Sequence, residues 1–267
     1  MTRKIRLGII GLGTQGGVYA GLIRGGRVPN IQLGAICDLD LAKADHAAES
    51  FADVPFFTDY LELLDSGTVD AVVTTVPHYL HPEIGISAIE RGIHALVEKP
   101  AGVYSKQVNQ LNAVAAAHPE VTFALMFNQR ANPLYRRLKE IIDVGEIGEI
   151  LRSNWIITTW WRPQGYYDQS PWGQADTSHL YTQETIEFSS AWGAQHADVL
   201  ENFASAILDG APLLASGAEG IKGVRLANAI HLSSWTGREV PLDFDEDEFL
   251  AELNARIGAE GLYERRA

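Results

Sequence analysis

The sequence predicts an α/β fold: a doubly wound parallel sheet, followed by a second, reduced α+β domain. Three observations predict it. Between residue 3 and about residue 128, short apolar runs alternate with helical ones. The apolar runs are continuous in Val, Ile, Leu and Ala, as strands covered on both faces by helices are. The first run also opens onto a glycine-rich turn, "GLGTQG", that leads straight into a helix.

Taken in order, "IRLGIIG" reads as a strand, "GVYAGLIRG" as a helix, "IQLGAIC" as a strand and "LAKADHAAESF" as a helix. "VPFF" is a short strand, "DYLELLDSG" a helix closed by Gly67, and "DAVVTTV" the fourth strand. "PEIGISAIERG" is a helix closed by Gly92, and "IHALVE" is the fifth strand. "SKQVNQLNAVAAAH" and "VTFALMF" complete the series as helix and sixth strand. Ala95, Leu96 and Val97 run directly into Glu98, Lys99 and Pro100, where a parallel strand opens onto a ligand crevice.

The rhythm changes after residue 128, which divides the chain by pattern into residues 1–128 and 129–267. "PLYRRLKEIIDVG" reads as an amphipathic helix stopped by Gly145, and "EILRSNWIITTWW" as one long strand. Residues 162–192 show little periodicity and many turn formers. Helical pattern returns in "HADVLENFASAILDG" and "SGAEGIKGVRLANAIHLSSWTG", and a final acidic helix runs through Ile257.

Composition excludes several functions. With 46% hydrophobic residues in 267, the chain has enough apolar content for a folded core. Its formal charge, 21 − 34 = −13, repels phosphate backbones and anionic lipid, so no nucleic-acid or membrane partner is expected. The single cysteine, Cys37, allows no internal disulfide and reads as a small buried hydrophobe in a strand. No secretory leader or spanning stretch is evident, so the expected location is cytoplasmic. The eight histidines form no H-x-x-x-H or H-E-x-x-H pair, and no metal site is expected.

Gly11, Gly13 and Gly16 spell G-x-G-x-x-G between strand and helix, the context in which that motif becomes specific. Gly11 makes the tight turn, Gly13 lets backbone approach a pyrophosphate, and Gly16 lets helix and strand pack closely. Thr14 and Gln15 lie between them at the helix N-terminus, the anion site. Asp38, at the end of the second strand, stands where a carboxylate accepts hydrogen bonds from the adenosine ribose. No arginine follows it to hold a 2′-phosphate, so NAD is expected rather than NADP. These are the marks of a Rossmann domain.

Four further strings combine with this fingerprint: "TTVPHYLHPEIGISAIERGIHALVEKP", "FNQRANPLYRRLKEIIDVGEIGEI", "WWRPQGYYDQSPW" and "ANAIHLSSWTGREVPLDFDEDEF". Together they resemble the glucose-fructose oxidoreductase, inositol dehydrogenase and MocA (Gfo/Idh/MocA) family of nicotinamide-dependent oxidoreductases, over residues 3–172 and 194–257. The spaced T-x-P-x-x-x-H, from Thr75 through Pro77 and His78 to His81, ending in E-K-P, is the most specific part.

The resemblance implies that Thr75, Pro77, His78 and His81 lie along the nicotinamide half of the cofactor. It further implies that Lys99, paired with Glu98, is the catalytic lysine, and that Pro100 is a proline often preceded by a cis bond. Asn128, Gln129 and Arg130 close the sixth strand at the same edge, and Asn128 and Arg130 are expected to touch the cofactor. The implied reaction is hydride transfer between nicotinamide and a sugar, inositol or related polyol. A partly desolvated lysine suits the accompanying proton transfer. Trp160, Trp161, Arg162, Tyr166 and Tyr167 suit a polyol pocket and equally suit packing or oligomer contacts.

After "SPW" the sequence departs from the family pattern. The family's D-x-G-x-H segment and most of its large antiparallel sheet have no counterpart in "GQADTSHLYTQETIEFSSAWGAQHADVLENF". Asp176 and His179 do not match the motif, and His196 reads as a helix start rather than a chemical group. A shortened second domain leaves apolar strand edges to be covered by association, so a homo-oligomer is expected. It also leaves open a second reading, a catalytically inactive NAD-binding relative acting as a sensor or partner subunit.

Overall fold

Each of the six apolar runs forms a strand, and in a computed structural model that describes residues 3–150 and 194–259 all six lie in one parallel sheet. The strands are β1 (Ile5–Ile10), β2 (Ile31–Cys37), β3 (Phe56–Phe57), β4 (Ala71–Thr74), β5 (His94–Val97) and β6 (Phe123–Leu125). Their order is β3-β2-β1-β4-β5-β6. This is the doubly wound dinucleotide-binding order, in which the chain reverses its winding between β1 and β4.

The connecting helices are α1 (Thr14–Arg24), α2 (Ala42–Ser50), α3 (Tyr60–Asp65), α4 (His81–Ile89) and α5 (Ser105–Ala117). Asp59 caps α3 by accepting the N–H groups of Leu61 and Glu62. Gly67 and Gly92 follow α3 and α4 with positive φ, the conformation that ends a helix at little steric cost for glycine. β4, with Ala71, Val72, Val73 and Thr74 all buried, illustrates why these strands carry no alternation: helices cover both faces.

Three late helices follow: α7 (Ala194–Asp209), α8 (Gly220–Thr236) and α9 (Glu246–Ala259), with α6 (Pro133–Asp143) before them. The chain divides into two compact units, Met1–Pro133 with Trp192–Ala267, and Leu134–Ala191. The sequence pattern divides the chain at residue 128, whereas packing returns the late helices to the dinucleotide domain. Val199, Leu200, Phe203 and Ala204 of α7 share one apolar cluster with Ile5, Leu7, Ile9 and Ile36 of the sheet and Tyr19 of α1. On the opposite face Val224 of α8 joins Ile84, Val108 and Leu111. The physical reason is coverage: without α7 the buried face of β1 would stand in water, at about 25 cal/mol per Å2 of apolar surface.

The edge of the sheet is closed as well. Ser216 pairs with Ala124 as an isolated antiparallel bridge, and Leu125 N–H donates to the Ala215 carbonyl at 3.1 Å. A Cβ on Gly217 would lie 2.2 Å from the Phe123 ring, so glycine is required where this segment crosses β6.

In the second unit α6 ends as expected, with Gly145 at φ 72° and its N–H on the Ile142 carbonyl. Leu138, Ile142, Val144, Ile147 and Ile150 are exposed apolar residues there. The expected strand "EILRSNWIITTWW" falls almost wholly outside the described residues.

Candidate functional site

The parallel register builds the site. Ile10 lies opposite Cys37 and Thr74, Thr74 opposite Val97, and Val97 opposite Leu125. The residue after each strand therefore falls in one row along the carboxyl edge: Asp38, Gly11, Thr75, Glu98 and Met126. Backbone bonds carry the ladder one step further. Gly11 N–H reaches the Cys37 carbonyl at 2.8 Å, Thr75 N–H that of Ile10 at 2.8 Å, Glu98 N–H that of Thr74 at 3.2 Å, and Met126 N–H that of Val97 at 2.9 Å. In open α/β sheets this edge, at the reversal of winding, is where ligands bind.

At the fingerprint, Gly11 has φ 101°, and a Cβ there would lie 2.7 Å from the Thr75 carbonyl oxygen. Gly16 is tighter still, since its Cβ would lie 2.0 Å from the Gly11 carbonyl oxygen. Thr75 locks the arrangement by donating its hydroxyl to the Ile10 and Gly11 carbonyls, at 3.1 and 2.5 Å. Gly13 is different. A Cβ there would meet no atom within 4 Å, so its side of the turn faces open space. Helix α1 begins at Thr14 with no side-chain cap and no acid in its first turn, which suits an anion. These residues fit a dinucleotide pyrophosphate.

Asp38 is mostly buried and held in place: its Oδ2 accepts Leu12 N–H at 2.7 Å and its Oδ1 accepts Asp40 N–H at 3.0 Å. The Lys43 ammonium lies 2.7 Å from Oδ2. Cys37, just before it, is a buried strand residue as expected, its thiol pushed up to about 12 by burial and by the carboxylates of Asp38, Asp59 and Glu62.

Glu98 is buried, and burial pushes its carboxyl above the usual range. Two donors hold it: the Tyr19 hydroxyl on Oε1, and Lys99 N–H on Oε2 at 3.0 Å. The Tyr19 phenol is raised well above its ordinary value by burial and by the Glu98 charge. Lys99 itself is exposed. The expectation of a partly desolvated lysine is therefore corrected, because Glu98 turns inward and its neighbour in the extended chain turns out. Among the described residues its ammonium makes no hydrogen bond or ion pair. The Lys99–Pro100 peptide is cis.

His81 is fully buried, with Nδ1 2.7 Å from the Pro100 carbonyl and Nε2 2.9 Å from the Val76 carbonyl. Burial holds the ring below its ordinary pKa despite those acceptors. His81 thus ties the loop after β4 to the loop after β5 and turns no nitrogen outward, contrary to the expected cofactor contact. His78, half-buried beside it, is pushed down to about 4 by burial, His81 and Lys99. Pro77 is exposed at the rim.

Asn128 and Arg130 lie in a 3-10 turn after β6. The Arg130 guanidinium donates to the Leu214 carbonyl at 3.1 Å, pairs with Glu219 and lies 5.2 Å over the Phe127 ring. Its bonds go to the segment before α8 and none among those described goes toward the row, so it is a clasp where a cofactor contact was expected. Trp160, Trp161, Arg162, Tyr166, Tyr167, Asp176 and His179 lie outside the described residues.

Sequence reasoning missed three groups. Tyr19, three residues past Gly16, faces the sheet on the same helix that opens the fingerprint. Lys43 is the second residue of α2, its ammonium reaching back to Asp38. His196 lies in the first turn of α7 as expected, yet its ring lies 5.8 Å from the Tyr19 ring and its buried Nδ1 has no hydrogen-bond partner among the described residues. Burial and the Lys99 charge hold it below its ordinary pKa. A helix-face count from Gly16 exposes Tyr19, while the approach of His196 depends on tertiary packing.

Fold and edge together define a dinucleotide-binding α/β protein. Two family models match: one described as an oxidoreductase family with NAD-binding Rossmann fold, over residues 5–126, and one as an oxidoreductase family C-terminal alpha/beta domain, over residues 144–242. The chain belongs to the Gfo/Idh/MocA oxidoreductase family. It is 31% identical over 167 residues to inositol 2-dehydrogenase 4 of Saccharopolyspora erythraea, covering 62% of this chain and 49% of that one. The scyllo-inositol dehydrogenase of Lactobacillus casei, solved with bound NAD(H) and scyllo-inositol, is 30% identical with a TM-score of 0.52, over 55% of this chain and 43% of that one. The WlbA dehydrogenase of Bordetella pertussis shares the fold, with a TM-score of 0.72 at 18% identity, over 91% of this chain and 100% of that one. The chain spans about half the length of the curated relatives it matches. No helix among the described residues is long and apolar enough to cross a membrane.

Proposed function

We propose that this chain is a cytoplasmic NAD-dependent oxidoreductase that moves hydride between the nicotinamide and a hydroxyl-bearing carbon of an inositol, a sugar or a related polyol. One observation carries the reading: register alone gathers the open Gly13 turn, Asp38, Thr75 and the Glu98-Lys99 pair along one carboxyl edge. The names of the relatives supply the substrate class.

In this reading Gly11, Gly13, Thr14, Gln15 and Gly16 hold the pyrophosphate at the start of α1, and Asp38 holds the adenosine ribose. A bound nicotinamide supplies the hydride acceptor. As the substrate carbon gives up hydride, its hydroxyl gives up a proton and the carbonyl forms. Lys99 takes that proton as the neutral amine and returns it as the ammonium in the reverse direction, its exposed Nζ lying free to meet the hydroxyl. Glu98 and Tyr19 fix the backbone that carries Lys99, through the Lys99 N–H bond to Glu98. Thr75, Pro77, His78 and Asn128 border the same edge and form the nicotinamide side, with His81 holding two of its loops together.

The test is NADH formation from NAD across a panel of inositols and sugars, with Lys99→Ala beside the wild type. Turnover that falls by about 100-fold or more in Lys99→Ala, with NADH still bound, supports the assignment. NADH binding without turnover on any substrate would move the chain to the inactive-relative reading.

A further inference from the structure

We propose that Lys43 sets the choice between NAD and NADP, and that this chain accepts both; the proposal rests on the reading of the carboxyl edge as a dinucleotide site. Asp38, the group that would read the adenosine ribose, is already nearly saturated. A carboxylate offers about four acceptor positions. Leu12 N–H and the Lys43 ammonium take both on Oδ2, each at 2.7 Å, and Asp40 N–H takes one on Oδ1 at 3.0 Å. One position remains, whereas holding the 2′- and 3′-hydroxyls together requires two.

Of the three donors present, two are backbone N–H groups fixed by the fold. Leu12 belongs to the fingerprint turn, and Asp40 to the turn that starts α2, where its own carboxylate accepts Ala42 N–H at 3.0 Å. Lys43 is the displaceable one: its side chain is about one-third exposed and its donor is a flexible ammonium rather than a fixed fork. A ribose that engages both oxygens of Asp38 must move Lys43 aside, which leaves a cation beside the 2′ position. That cation is the counter-charge a 2′-phosphate needs, and in the same step it offsets the repulsion between the phosphate and Asp38.

The rim fits an adenosine end. Leu39 and Leu41, on either side of Asp40, are 80% and 69% exposed, apolar surface beside the carboxylate with nothing of the described chain over it. No arginine is needed for this arrangement, which is why residue type alone at the end of the second strand points to NAD.

The experiment is a calorimetric titration of NADH and of NADPH into the wild type, Lys43→Met and Lys43→Gln, with circular dichroism to check that each variant is folded. The expected result is NADPH affinity within about tenfold of NADH in the wild type. Both variants should weaken NADPH by at least tenfold while NADH binds as well or more tightly, because Asp38 is freed. Added salt should weaken NADPH more than NADH. An NADPH-to-NADH ratio that both variants leave unchanged would overturn the role of Lys43, as would a wild type that binds NADH alone. If the wild type binds neither nucleotide, the cofactor reading of the edge fails and this proposal fails with it.

Discussion

The Tyr19 hydroxyl, from the first helix of the fold, donates to the buried carboxylate of Glu98, the residue before Lys99. This bond joins the fingerprint helix to the E-K-P turn across 79 residues of sequence. Removing it in Tyr19→Phe leaves a buried carboxylate with one donor fewer. The expected loss is about 2 kcal/mol at pH 7, measured by urea denaturation. NADH affinity should fall with it, since the same contact fixes both walls of the edge.

The pH dependence of that pair has a definite sign. Burial raises the folded pKa of Glu98 above its unfolded value, so its favourable contribution is complete below the unfolded carboxyl range and is lost as pH rises through the folded value. Glu98→Gln removes the ionisation. Its stability relative to wild type should therefore improve as pH rises above the ordinary carboxyl range, read from denaturation midpoints at successive pH values. A difference independent of pH would show that Glu98 keeps the same proton in both states.

His78 behaves in the opposite sense. Its folded value of about 4 lies below the ordinary histidine value of 6.5, so its neutral ring favours folding above 6.5, and that contribution is lost as pH falls toward 4. His78→Asn should flatten the acid side of the stability profile between those values. Differential scanning calorimetry at pH 7, 6, 5 and 4 reads the change.

Gly16→Ala tests the packing of the fingerprint itself. The added methyl would meet the Gly11 carbonyl oxygen at 2.0 Å, backbone against which no rotamer can adjust. We expect a loss of about 3 kcal/mol and a lower Tm.

Arg130→Met separates a clasp from a cofactor contact. Arg130 spends its bonds on Glu219 and the Leu214 carbonyl, partly exposed to solvent. The variant should lose about 1 kcal/mol of stability and bind NADH within twofold of wild type, by titration.

What was legible in the sequence follows from where each signal lives. The glycine fingerprint, Asp38 and the six strands are local patterns, so each was readable from a few neighbouring residues. The row they form was also implied, because parallel strands of a doubly wound sheet end at one edge. Arg130 and His81 spend their side-chain bonds on backbone carbonyls and Glu219, which spacing does not reveal: a polar residue beside a site can point into it or bind the backbone, and the spacing is identical. The late helices were recognised as helices, but Phe203 and Leu200 do not announce that their partner is β1 rather than a second domain. His196 reaches Tyr19 only because α7 packs there, a fact absent from any short stretch.

The most direct single measurement is a calorimetric titration of NADH into the wild type and into Gly13→Asp. Position 13 has open space for a side chain, so Gly13→Asp should fold normally while placing a carboxylate where the pyrophosphate lies. The account predicts saturable one-to-one binding by the wild type and at least a 100-fold weakening in the variant. Equal affinity in the two proteins would contradict it, because the dinucleotide would then be held somewhere other than the carboxyl edge built by Gly11, Gly13, Asp38 and Glu98.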